Sequence, residues 1–173
     1  MTKVLVAYAS KHHATAEIAN AIAEVLLRPG KLQVDVRPVE TVTTIAPYDA
    51  IVLGSSVYIG QWQPEAAEFL KDQEAELAKR PVWFFSSGPT GEGDPNTLMK
   101  GWIFPEKLHP IAERIRPRDT VLFHGKLDPS ELNLLERAAV KMIKAPVGDF
   151  REWDHIYGWA EIIEQELAEY TPA

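Results

Sequence analysis

Along the chain, short uninterrupted apolar runs alternate with segments whose apolar positions recur every three or four residues. Val4–Ala9 is such a run and reads as a strand covered on both faces. From Ala14 to Leu27 the period changes: Ile18, Ile22, Val25 and Leu26 fall on one helical stripe, which Pro29-Gly30 ends. Gln33–Val39 alternates loosely through Val34, Val36 and Val39, as for a strand nearer a sheet edge. Ala50–Ser55 is the next buried run. Pro64 and Glu65 suit a first helical turn, and Ala66, Phe69, Leu70 and Leu77 give that helix its buried face. Val82–Ser87 and Thr120–Gly125 predict the fourth and fifth strands, with a short helix near Pro105–Ile115 between them.

Asp128-Pro129-Ser130-Glu131 has the shape of a capping box and predicts a helix running through about Ala145, with Leu132, Leu135, Ala139 and Met142 on one side. Arg137, Lys141 and Lys144 lie beside that stripe. A basic amphipathic helix can rest on a membrane surface. Cations near a helix C-terminus also complement its dipole while the stripe packs on the domain, and this second reading is the expectation. A last helix is predicted from about Trp153 to Glu169 on Ile156, Trp159, Ile163 and Leu167. Strands alternating with helices in this way argue for βαβ units: an α/β fold with a doubly wound, five-stranded parallel sheet and helices on both faces. The chain reads as one domain over residues 1–173, with elaborations at about 92–119 and 128–152 and no internal repeat.

Composition narrows the chemistry. The chain has no Cys, which removes disulfides, thiolate nucleophiles and dithiol couples, so any redox chemistry needs a bound cofactor. A net charge of −7 with scattered Lys and Arg speaks against a nucleic-acid partner. The first apolar stretch stops at Ala9, too short for an export signal, and no run approaches the roughly 20 apolar residues that span a bilayer, so the cytoplasm is the expected location. The five histidines show no ligand spacing, and no metal is expected.

In a doubly wound sheet the loops at the carboxyl ends of the strands share one crevice. After the first strand come Ser10-Lys11-His12-His13-Ala14-Thr15, two hydroxyls flanking a turn that opens into a helix and suits a phosphate. After the third come Gly54-Ser55-Ser56-Val57-Tyr58-Ile59-Gly60-Gln61-Trp62, and after the fourth Ser86-Ser87-Gly88-Pro89-Thr90-Gly91. A phosphate cradle with two loops of exposed backbone and aromatic surface is what FMN needs.

These three loops, in this order, resemble those of the flavodoxin family. The resemblance implies the strand order 2-1-3-4-5, a phosphate held by the loop of Ser10 and Thr15, and an isoalloxazine ring held by the other two loops. The FMN-binding positions it implies are Ser10, Lys11, His12, His13, Ala14, Thr15, Ser56, Val57, Tyr58, Gly60, Trp62, Ser87, Gly88, Pro89, Thr90 and Gly91. Ser10-Lys11-His12-x-x-Thr15, Gly54-Ser55-Ser56-Val57-Tyr58, the insertion Lys126–Lys144 and the tail Gly148-Asp149-Phe150-Arg151-Glu152-Trp153 are similar to the flavodoxin-domain group that contains menaquinone-dependent protoporphyrinogen oxidase. That likeness implies an FMN oxidoreductase with porphyrinogen and quinone as partners and at most peripheral membrane contact. His13 stands where the family has Gly, a departure that bears on the phosphate turn.

No acid–base residue is singled out; Ser56, Tyr58, Thr90 and Glu92 are candidates by position only. An electron shuttle and a cofactor-free interaction module are the alternatives. A phospho-receiver lacks its carboxylates here, because Ala9-Ser10 and Gly54 occupy their places, and no G-x-G-x-x-G follows the first strand as a dinucleotide fold requires. Trp83, Phe84 and Phe85 are expected in the core, and Trp102-Ile103-Phe104 tucked against the sheet rather than forming a contact lip.

Overall fold

The structure, a computed structural model, describes residues 1–172. The chain runs β1 (Thr2–Ala9), α1 (Ala14–Leu27), β2 (Leu32–Pro38), β3 (Ala50–Tyr58), β4 (Gln61–Trp62), α2 (Pro64–Asp72) and α3 (Glu74–Leu77). It continues through β5 (Val82–Ser87), α4 (Pro95–Leu98), α5 (His109–Ile115), β6 (Asp119–Phe123), β7 (Lys126–Leu127), α6 (Leu134–Ile143), β8 (Gly148–Asp149) and α7 (Trp153–Ala168). Five strands form a parallel sheet in the order β2-β1-β3-β5-β6. This is the doubly wound order expected from the sequence once β4 is set aside. β4 folds back antiparallel on the end of β3, pairing Val57 with Trp62 and Tyr58 with Gln61. The turn between them puts Ile59 at φ 48° and Gly60 at φ 67°, the two positive angles that a tight hairpin requires.

Alternation along the strands divides the core. Val4 and Val6 point to the face covered by α1 and α7, where they meet Ile18, Ile22, Phe85, Trp159 and Ile163. Leu5 and Ala7 point to the opposite face, packing with Ile51, Leu53, Phe84, Leu70 and Ile111 under α2 and α5. Trp83, Phe84 and Phe85 are fully buried, as their place in β5, an interior strand covered on both faces, demands. Phe104 is buried and stacks on Phe84 at a centroid distance of 5.3 Å, so the Trp102-Ile103-Phe104 segment tucks against the sheet through Phe104 alone, while Trp102 is half-buried and Ile103 exposed.

The expected helix from Asp128 to Ala145 is broken. Asp128 accepts from the Ser130 amide and caps only a single 3₁₀ turn, Pro129–Glu131; Leu132 is extended. Asn133 then begins α6, its side chain accepting from the Glu136 amide at 2.9 Å. Asn is as good a cap as Asp, and the second cap has a longer helix to start. The expected packing of this helix on the domain is also overturned. No residue of α6 is buried, and Leu135 and Met142 are each 84% exposed. The excursion is held at its base instead, where Lys126 pairs with Asp149 and Leu127 with Gly148.

Gly54 in mid-β3 is fixed by packing. A Cβ there would lie 2.2 Å from the Phe85 ring, whose side chain fills the space the glycine leaves. Gly54→Ala therefore forces the central strands apart, and a loss of about 3 kcal/mol in urea-unfolding free energy is expected. An unchanged unfolding midpoint would show that Phe85 can repack.

Candidate functional site

At the carboxyl ends of β1, β3, β5 and β6 lies a cavity of about 480 Å³ roofed by α6. Its floor begins with the turn after β1. His13 adopts φ 65°, ψ −13°, and its carbonyl accepts from the Glu17 amide at 3.1 Å to start α1. No side chain caps this helix, so the amides of its first turn and the positive end of its dipole face outward unanswered. Thr15 is buried at that turn. Ser10 Oγ and Ser56 Oγ are buried without a hydrogen-bond partner, and both residues line the cavity. A buried hydroxyl left unsatisfied costs about 1–3 kcal/mol, so two of them on one cavity wall call for a polar occupant.

The far wall is built from closely approaching backbone. The Gly88 amide donates to Phe123 O and the Gly125 amide to Pro89 O, which fastens the loop after β5 to the end of β6. A Cβ on Gly125 would stand 2.8 Å from the Gly88 carbonyl, so only glycine permits this contact. Beneath the loop, buried His124 places Nδ1 at 3.1 Å from Pro89 O and Nε2 at 2.6 Å from Gly93 O. Both ring nitrogens thus face backbone carbonyls of this loop, and the Glu152 carboxylate lies 3.3 Å from Nε2.

Two ion-pair groups hold the turn between β1 and α1. The Arg151 guanidinium bonds Asp149 and Glu17, donates to Ala14 O at 3.2 Å and lies over the Trp153 ring. It thereby ties the 148–153 tail to the first turn of α1, and its own charge offsets Glu17 there. From above, Glu136 of α6 reaches down: Oε1 accepts from Lys11 Nζ at 2.8 Å and Oε2 lies 3.0 Å from His12 Nε2. Lys11 also sits over the Tyr58 ring. The hydrogen bond from Lys11, followed by the charges of Lys11 and His12, holds the Glu136 carboxyl below the ordinary glutamate range.

Of the sixteen residues expected at the site, thirteen line this cavity, and three do not. Trp62 is corrected to the core: it is 4% exposed, donates from Nε1 to Ser86 Oγ at 2.8 Å and packs edge-on against Phe84 and Phe104. The β3–β4 hairpin turns it inward. His13 is off the wall because its role is backbone conformation. Gly91, at φ 116°, is buried beside Pro146 and Leu98 rather than facing the cavity. Reading the sequence missed the contribution of Gly125, Lys126 and Leu127 after β6, and of Glu136, Ala139, Val140 and Ile143 on the underside of α6. The first group was findable, since every strand of a parallel sheet ends at the same edge.

The model of the flavodoxin domain matches residues 5–154. The chain belongs to the flavodoxin domain family. Among solved structures, a flavodoxin from the domain Archaea superposes with a TM-score of 0.65 at 13% identity, over 97% of this chain and 100% of that one. A flavodoxin from Streptococcus pneumonia TIGR4 gives 0.59 at 18% identity, over 96% and 98%. Rubredoxin oxygen:oxidoreductase from Desulfovibrio gigas gives 0.61 at 15% identity; the match spans 97% of this chain but 36% of that one. No curated protein matches. Flavodoxin domains bind FMN, and the residues here fit that group: a helix start with free amides, two orphaned hydroxyls and a glycine-lined backbone wall.

Two outcomes follow for the flavodoxin turn. His13 holds a left-handed conformation that glycine adopts without strain, so His13→Gly is expected to raise stability by about 0.5–1 kcal/mol, read from the denaturant midpoint. A decrease would mean the imidazole has a structural role. The lowered Glu136 carboxyl means its tether is intact above the ordinary glutamate range and is lost only as pH falls through the depressed value. In a carbon-detected NMR titration, Glu136 should protonate below the exposed glutamates and the α6 amide signals should shift with it. Amide shifts that persist unchanged in Glu136→Gln would separate the helix from this ion pair.

Proposed function

We propose that this flavodoxin domain is an FMN-dependent oxidoreductase working on a flat, largely apolar organic reactant, with protoporphyrinogen as donor and a menaquinone-type quinone as acceptor. The observation that carries the FMN part is the pair of orphaned hydroxyls lining one cavity, Ser10 Oγ before the uncapped start of α1 and Ser56 Oγ near the end of β3. What favours an enzyme over a plain shuttle is the roof. Leu132, Ala139, Val140 and Ile143 give the cavity an apolar ceiling, which a shuttle exposing a flavin edge to a protein partner does not need.

When bound, FMN supplies two-electron redox chemistry. The chain's own residues do the holding. Ser10, Thr15 and the first-turn amides of α1 would receive the phosphate, with Lys11 as its cation and His12 beside it as a ring donor. The backbone of residues 56–60 and 87–90 meets the ring, and Tyr58 offers it an aromatic face. Fixation of the 88–93 loop comes from His124, whose two ring nitrogens reach Pro89 O and Gly93 O. Overall, each pair of electrons and protons leaving the porphyrinogen reduces one quinone to its hydroquinone.

A titration of purified protein with FMN, followed by flavin fluorescence and absorbance, tests the first part. Saturable binding is expected. Thr15→Ala should weaken it at least tenfold by removing a hydroxyl from a charged acceptor. Glu136→Gln should tighten it about fivefold by removing a carboxylate from the cations the phosphate uses. Absence of binding would return the domain to the cofactor-free reading. The loaded protein is then given protoporphyrinogen and a menaquinone analogue; flavin binding without turnover would leave the electron-shuttle role.

A further inference from the structure

The outer surface of α6 is organised for something other than this domain. At 3.6 residues per turn, Leu134, Leu135, Ala138 and Met142 form one stripe, Arg137, Lys141 and Lys144 a second beside it, and Glu136, Ala139, Val140 and Ile143 a third. The third stripe faces the cavity. The first faces solvent: Leu134 is 83% and Leu135 and Met142 are 84% exposed, and Ile143 and Val147 follow at the helix end. Tyr58 and Ile59, on the hairpin that forms the cavity's other lip, are exposed as well. Seven of the twelve exposed large apolar side chains among the described residues thus lie on α6, just after it or on the β3–β4 hairpin, and Tyr58, Ile59 and Ile143 of them also line the cavity, far more than scatter explains.

Charge selects what covers this rim. The chain as a whole carries −7. Yet α6 and the residue after it hold three cations and a single acid, and that acid, Glu136, is turned inward onto Lys11. The outward face of the helix therefore presents apolar and positive groups only, although Asp128 and Glu131 precede it on the 3₁₀ turn. A second copy of the same face would bring like charges together. An anionic lipid surface satisfies both stripes at once: acyl chains take the leucines and methionine, and headgroups take the arginine and lysines.

We propose that α6 and the Tyr58-Ile59 hairpin form a docking face for an anionic membrane surface, seating the cavity mouth against the bilayer. Only its purpose, access to a reactant dissolved in the bilayer, rests on the function proposed above; the docking does not require FMN. Among the described residues no helix is long and apolar enough to cross a membrane, so the contact is interfacial.

The test is flotation of the full-length protein with vesicles of phosphatidylglycerol and phosphatidylcholine in equal parts, and with vesicles of phosphatidylcholine alone. Binding to the first, weakened by raised salt and weak on the second, is expected. Arg137→Gln/Lys141→Gln/Lys144→Gln should lower vesicle affinity about a hundredfold, at about fivefold per cation. Leu134→Asp/Leu135→Asp/Met142→Asp should abolish it. None of these side chains lines the cavity, so FMN titration and far-ultraviolet circular dichroism of the variants should match wild type and show that the fold is intact. Wild-type protein that ignores both vesicle types overturns the proposal and leaves the face to a protein partner. Binding that survives both triple variants also overturns it. Self-association abolished by the aspartate variant, without vesicle binding, would overturn it in favour of a second copy. Failure to bind FMN with intact vesicle binding would sink the proposed chemistry and leave this surface standing.

Discussion

A parallel sheet covered by helices on both faces leaves its strands' carboxyl ends as the one edge where backbone donors and a ligand can meet, and the organisation of this protein follows from how those ends are finished. β1 ends in a turn that exposes the uncapped amides of α1. β3 ends in a hairpin that removes Trp62 from the edge and leaves Tyr58 there. β5 and β6 end in loops fastened to each other through Gly88 and Gly125. The β5 and β6 endings satisfy their own backbone, while the β1 and β3 endings leave polar groups over in the cavity: the first-turn amides of α1 and the hydroxyls of Ser10 and Ser56. Rigidity comes from the covered faces, and binding capacity comes from what the edge leaves over.

This division explains what could be read from the sequence. Strand and helix positions were legible because each is set by a local period. Val4–Ala9 and Val82–Ser87 have no polar interruption, and the stripes of α1 and α7 recur at helical spacing. Most of the cavity was legible too, since topology sends every βα loop to one edge. Trp62 was not. Its inward turn depends on β3 running on to Tyr58 and on Ser86, a residue of another strand, accepting its N–H. The roles of His124 and Arg151 lay hidden for the same reason, because the backbone carbonyls they hold stand 31 to 137 residues away. The path of α6 misled in another way. Its sequence is apolar on two sides, and a pattern of apolar positions does not say which side meets protein.

His13 shows a conflict between local preference and global need. The turn requires a positive φ to bring the α1 amides to the edge, and the fold imposes it on a residue with a Cβ. Histidine is among the side chains that tolerate this region best, and the strain is small beside the burial of α1 against the sheet. The turn is also braced from outside by Arg151, which holds the Ala14 carbonyl and the Glu17 carboxylate together. A strained turn with a distant brace is stable without using its own amides, and those amides stay free for an anion.

The roof completes the logic. α6 buries no side chain, so its position cannot rest on hydrophobic packing; it rests on the two-residue ribbon at its base and on Glu136 reaching Lys11 and His12. The same two side chains, Lys11 and His12, are the ones a phosphate on the α1 turn would use. A carboxylate that anchors the roof therefore opposes the ligand the floor is built to receive. Roof position and phosphate occupancy are coupled through one pair of side chains, and strengthening either contact weakens the other. On the docking proposed above, a surface holding the exposed outer face of α6 would relieve Glu136 of that task and free Lys11 and His12 for a phosphate. Occupancy of the floor and docking of the roof then favour each other without any residue touching both.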